Sequence, residues 1–97
     1  MKIFKLEQDW VDGYDTYDSC VVIAENEEEA ITIHPSDFVT HIKDNKWMGT
    51  SYNGEEYETG NNSWVHVEDL DKIKVTYLGE AKLSSKKGVV CSSFNPG

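Results

Sequence analysis

A run of β-branched and small apolar residues, Cys20-Val21-Val22-Ile23-Ala24, leads almost directly into Asn26, and Glu29 follows three positions later. This junction constrains the fold more than any other feature of the chain. The compact β-branched run reads as a buried strand. Asn26 reads as a helix N-cap, with Glu29 placed to reach back as the reciprocal acid. Glu27, Glu28 and Glu29 also suit the positive end of a helix dipole. Ala30 and Ile33 share one helical face. Pro35 disfavours helical backbone at His34, so the helix is short and His34 borders its end. The acidic triplet is thereby explained as a helix start and needs no catalytic role.

Other segments add strands around this unit. Ile3, Phe4 and Leu6 support a first strand over residues 2–7, and Asp12-Gly13 opens a turn-rich loop. Residues 73–78 alternate as a strand that Gly79 ends, and residues 88–94 form the last strand. Val67 to Leu70 reads as one helical turn. Phe38, Val39 and Ile42 fit a helix or a short strand equally well. Residues 49–63 hold Gly49, Gly54, Gly60, Asn61 and Asn62, the composition of a loop or hairpin insertion. Trp47, Tyr52, Tyr57 and Trp64 flank or occupy it and are expected to anchor it to the core. The expectation is one α+β domain over residues 1–97. It has a small single sheet of about four or more strands, with one short helix packed on one face. A parallel strand–helix–strand crossover stays open.

Composition narrows the function classes. The formal charge is −9 over 97 residues, and all nine cationic side chains are Lys. Direct nucleic-acid binding needs a basic face, which this chain lacks. Bidentate Arg recognition of phosphate is also unavailable. The acidity reads as a solvated surface, or more sharply as a nucleic-acid mimic that blocks a basic partner. Met1-Lys2 leads straight into an alternating, charged strand, and no run approaches membrane-spanning length. The expectation is a cytoplasmic protein without membrane contact. Cys20 and Cys91 lie in apolar, strand-like surroundings and are expected to be buried free thiols.

The familiar chemistries find little support. His34, His41 and His66, with Asp37 and the cysteines, offer metal-ligand types but match no zinc spacing. Asp12, Asp15 and Asp18 recur every third residue without the order of a calcium loop, and read as a solvated Asx-turn. Neither cysteine sits where its thiol would be activated. No phosphate loop, nucleophile elbow or dinucleotide turn occurs. The chain reads as a non-enzyme without a cofactor.

Two polar segments remain. Gly13-Tyr14-Asp15-Thr16-Tyr17-Asp18-Ser19 precedes the second strand, and Ser92-Ser93-Phe94-Asn95 ends the last one. Tyr14, Tyr17 and Phe94 offer flat faces for a base. Asp15, Thr16, Ser19, Ser92, Ser93 and Asn95 offer hydrogen bonds. Lys86 and Lys87 form the only adjacent basic pair and suit a phosphate. A last strand parallel to the first would put both segments at one sheet edge, where a site follows naturally. The plainer alternative is that the rings fill the core and Asp15, Thr16 and Ser19 cap a turn.

These segments, with Val21-Val22-Ile23-Ala24, Glu28, Ala30, His34-Pro35, Leu78-Gly79 and Gly88-Val89-Val90, resemble a set of short proteins encoded by bacteriophages and prophage-bearing bacterial genomes. The resemblance covers both ends and leaves about 37–63 weakly constrained. It implies an accessory or counter-defence factor in the bacterial host cell. Such a factor acts by binding, either to a nucleotide-derived immune signal or to a host protein. A homo-oligomer is compatible with either.

Overall fold

The computed structural model describes residues 1–97 apart from 12, 14, 61, 62, 83, 84, 96 and 97 and the side chain of Asn95. In chain order the elements are β1 (Lys2–Glu7), β2 (Thr16–Ala24), α1 (Glu27–Ala30), β3 (His41–Lys43), β4 (Lys46–Thr50) and β5 (Glu56–Glu58). A 3-10 segment (Val67–Lys72), β6 (Lys74–Glu80) and β7 (Gly88–Asn95) complete the order. Two antiparallel sheets result, one ordered β6-β1-β2-β7 and one ordered β3-β4-β5. The expected single sheet is therefore corrected to two. β2 and β6 both run antiparallel to the β1 between them, so the chain from β2 through α1 and the second sheet to β6 crosses over between strands that point the same way without being hydrogen-bonded neighbours.

The first sheet follows from alternation. Phe4 and Leu6 of β1 and Cys20, Val22 and Ala24 of β2 are buried on one face, with Phe4 opposite Val22 and Leu6 opposite Cys20. Ala30 of α1 covers that face. The helix starts as the sequence demands. Asn26 Oδ1 accepts the Glu29 N–H at 2.8 Å, and Glu29 Oε1 accepts the Glu25 N–H at 3.0 Å. Gly79 does not end β6. It takes φ 153 at an irregularity in the pairing with β1, and the strand continues to Glu80.

The second sheet rests on local turn chemistry. Asp44 and Asn45 both adopt left-handed backbone, φ 53 and 59, which closes a two-residue hairpin between β3 and β4. Gly54, φ 90, sits in the connection from β4 to β5. Residues 49–63 are thus partly a strand pairing. β3 and β5 are three residues each, and β5 is exposed throughout, so neither produces a burial rhythm that the sequence could display.

Three consecutive residues join the sheets. The Ser63 carbonyl accepts the Tyr17 N–H of β2 at 2.8 Å, and the Val65 carbonyl accepts the Trp47 indole N–H of β4 at 2.8 Å. Trp64 lies between them, 1% exposed, and Val65 is fully buried. Trp47 and Trp64 belong to the core itself, while Tyr52 is fully exposed and Tyr57 partly so. The expectation that all four rings anchor the insertion holds for the two tryptophans only.

Gly49 is required where β4 passes β5. A Cβ there would lie 2.5 Å from Tyr57 Cζ and 2.6 Å from the Phe38 carbonyl oxygen. Gly49→Ala should therefore destabilise the fold by about 1–3 kcal/mol in urea titration. Adding Tyr57→Ala should not restore full stability, because the backbone clash persists. Full restoration would show that the ring alone dictates glycine.

Candidate functional site

The two polar segments do meet: β7 points the same way as β1, with β2 antiparallel between them, so the start of β2 and the end of β7 pair directly at one end of the sheet. β2 and β7 run antiparallel, with Thr16 opposite Asn95, Tyr17 opposite Phe94, Ser19 opposite Ser93 and Cys20 opposite Ser92. The register shifts between Tyr17 and Ser19, leaving Asp18 as a bulge. The Tyr17 and Phe94 rings lie 4.7 Å apart at 56°. Phe94 is 43% exposed, so one ring face stays open. Ser92 and Ser93 are exposed, and Ser19 is half-buried.

The rest of the first segment is turn machinery. Asp15 adopts φ 61, and the buried Thr16 donates its hydroxyl to the Gly13 carbonyl at 2.8 Å. The buried Gln8 clamps the same loop. Its Nε2 donates to the carbonyls of Val11 at 2.8 Å and Tyr17 at 2.7 Å, and its Oε1 accepts the Val11 N–H at 2.7 Å. Tyr14 and the Asn95 side chain lie outside the described residues.

Lys86 and Lys87 stand apart from this aromatic pair. They precede β7, and Phe94 lies near its other end, a separation of roughly 20 Å at strand rise. Lys87 is also engaged. Its Nζ lies 3.0 Å from Glu29 Oε2 and 3.6 Å from Glu25 Oε1. The hydrogen bond to Glu29 raises the Lys87 pKa. Glu29 is held below the usual carboxylate range first by the Glu25 N–H and then by Lys87.

Lys87 lines a groove of about 730 Å³. Glu29, Thr32 and Ile33 from α1 and its exit form one wall, and Lys87, Gly88 and Val89 another. The connection through Ser36, Asp37, Val39 and Thr40, with His41, Ile42 and Trp47 of the second sheet, completes it. At its base His34 joins groove and aromatic pair. Its ring lies 5.0 Å from Trp47, 6.4 Å from Trp64 and 6.3 Å from Tyr17. His34 is 4% exposed and lies three residues past Ile31, the helix C-cap, so it does not border the helix as expected. Its Nδ1 accepts the Ser36 N–H at 2.9 Å, so the ring is neutral with its proton on Nε2. Burial pushes its pKa down to about 4.

Sequence reasoning missed Thr32, Thr40, His41 and Trp47 as groove residues. His41 had been weighed only as a metal ligand. It sits in a polar chain instead. Thr40 Oγ1 lies 2.8 Å from His41 Nδ1, and His41 Nε2 lies 3.0 Å from Glu56, which also accepts from Lys43 at 2.6 Å. The Asp44-Asn45 turn was the one available signal that residues 41–50 fold back and bring this chain together. Among the described residues no group of three His, Cys, Asp or Glu side chains could hold a metal ion.

Both cysteines are free, but only Cys20 is buried. Cys91 is exposed, which corrects the expectation of two buried thiols: it lies on the edge strand β7, opposite Val21 on the face away from Cys20. Desolvation pushes the Cys20 thiol up to about 12. Intact-mass measurement after brief alkylation should show one adduct, at Cys91, with the second appearing only on unfolding. Two adducts in the first phase would contradict the burial of Cys20.

The buried His34 also sets an acid sensitivity. An unfolded histidine takes a proton near pH 6.5, whereas native His34 resists until about pH 4. Stability is full above pH 6.5, falls as pH drops, and has lost on the order of 3 kcal/mol by pH 4. His34→Asn should flatten stability between pH 6.5 and 5, a range above most carboxylate titration. An unchanged slope would mean another group carries it. Comparison with protein-family models, with curated proteins and with solved structures gives no match for this chain.

Proposed function

We propose that this chain is a non-enzymatic binding protein that captures a small nucleotide-like ligand and withholds it from its receptor. The observation that carries this reading is the groove of about 730 Å³, within the size range of small-molecule sites. Its walls alternate apolar surface (Ile33, Val39, Ile42, Val89) with hydroxyl, imidazole and ammonium groups (Thr32, Ser36, Thr40, His41, Lys87). That mixture suits a base and a sugar phosphate. Tyr17 and Phe94 extend the recognition surface beyond His34. The ligand-binding set therefore joins Asp15, Thr16, Tyr17, Ser19, Ser93 and Phe94 with the groove residues. Asp15 and Thr16 act by holding the loop. In a phage-encoded chain, which the sequence resembles, such capture is a counter-defence activity in the host cytoplasm. No described helix is long and apolar enough to cross a membrane.

A second reading is an acidic inhibitor that docks on a basic host protein. The exposed Tyr52 and Tyr57 beside Glu55, Glu56 and Glu58 favour it. Yet Glu56 is paired with His41 and Lys43, and Glu58 with Lys46 at 3.5 Å. That face offers less free negative charge than its composition suggests, so the groove is preferred.

Calorimetry with adenosine, AMP, ADP and cyclic AMP tests the proposal. At least one should bind one-to-one, and chromatography should recover it unchanged. Thr32→Trp, at an exposed position on the groove wall, should weaken binding at least about tenfold without lowering the melting temperature. Phe94→Ala should weaken binding less. Absence of binding by all four probes would overturn nucleotide capture, and conversion of the probe would overturn the non-enzymatic reading.

A further inference from the structure

We infer that Lys87 is an exchangeable anion ligand held in reserve by Glu29, so that Glu29 sets how strongly the groove discriminates phosphorylated from unphosphorylated ligands. The inference rests on the groove being the ligand site. Both residues line that groove, where they are in direct contact. Lys87, which enters β7, thereby reaches Glu29 of α1 at 3.0 Å and Glu25 just before the helix at 3.6 Å.

The geometry separates two tasks within one carboxylate. Glu29 Oε1 is committed to the Glu25 N–H, the reach-back that starts the helix. Glu29 Oε2 is committed to Lys87 at 3.0 Å. The first bond is structural and independent of any ligand. The second consumes the one ammonium group that lines the groove among the described residues. A phosphate in the groove meets the carboxylates of Glu29 and Asp37 on its lining, and finds Lys87 already paired with Glu29 and, more distantly, with Glu25. Binding of an anion therefore requires Lys87 to change partners. The pair can do so cheaply. Lys87 is about half exposed and Glu29 about one-third exposed, so water and a ligand oxygen can replace either end. A four-carbon stem lets the ammonium swing without moving the β7 backbone. A neutral nucleoside demands no such exchange.

Three variants test this against two probes, ADP and adenosine. Glu29→Gln keeps an oxygen for the Glu25 N–H and loses the charge that holds Lys87. It should tighten ADP binding about two- to fivefold and leave adenosine unchanged. Glu25→Gln, which does not touch the helix cap, should act in the same direction more weakly. Lys87→Met should reduce ADP affinity towards that of adenosine. In the double variant, Glu29→Gln should no longer have any effect on ADP. The ADP effects should shrink as salt is raised. If ADP binds all variants alike, the exchange is overturned while the groove reading stands. Equal tightening of ADP and adenosine by Glu29→Gln would also overturn the exchange, because it would report a change in groove shape. If neither probe binds any variant, both the exchange and the groove reading fail. Binding of ADP by Glu29→Gln alone would support the exchange in its strongest form.

Discussion

Everything in this fold hangs on a three-residue crossing. The second sheet cannot stand alone: it has three short strands and one deeply buried side chain of size, Trp47, while the first has a full buried face to pack it against. Ser63-Trp64-Val65 joins the two. Its carbonyls accept one hydrogen bond from each sheet, and its side chains fill the space between. Burying a backbone segment is tolerable because those carbonyls find donors. The Trp64 indole N–H has no hydrogen-bond partner among the described residues, which is a cost the packing of its ring must offset. The neutral His34 ring is drawn into the same apolar setting.

The groove lies beside the same crossing: α1 and its exit, the start of β7 and the second sheet line it, and His34, whose ring approaches Trp47 and Trp64, belongs to its lining. Its lining is accordingly mixed. The first sheet contributes Val89, the exit of α1 and the connection after it contribute Thr32, Ile33, Ser36 and Val39, and the hairpin contributes Ile42 and His41, the latter held by Thr40 and Glu56.

What could be read from the sequence followed the strength of local physics. β1, β2, the start of α1 and β7 were legible because alternation, β-branching and a capping pair agree there. The convergence of Tyr17 with Phe94 was legible only as a juxtaposition; its antiparallel register was not, since pairing partners so distant leave no local trace. The second sheet was hidden because its strands are short, charged and mostly exposed, and its turn signal is a mere dipeptide. Lys87 was legible as a cation but not as a paired one. Glu29 looked fully explained by the helix start, and a residue already accounted for is rarely asked for a second role. Cys91 misled because an edge strand can carry an apolar run that a central strand would bury.

The pairing of β2 with β7 has a consequence in time as well as in space. β2 is made early and finds β1 at once through a short connection, but its other edge waits for a strand from the far side of the described chain. Contacts of such long sequence separation form late and slowly. Until β7 arrives, the polypeptide has one wall of its groove missing, an open strand edge at Tyr17, and Glu29 without its lysine. During synthesis the protein therefore passes through a stage in which β1, β2 and β6 can assemble their shared core while the groove still lacks Lys87, Gly88 and Val89.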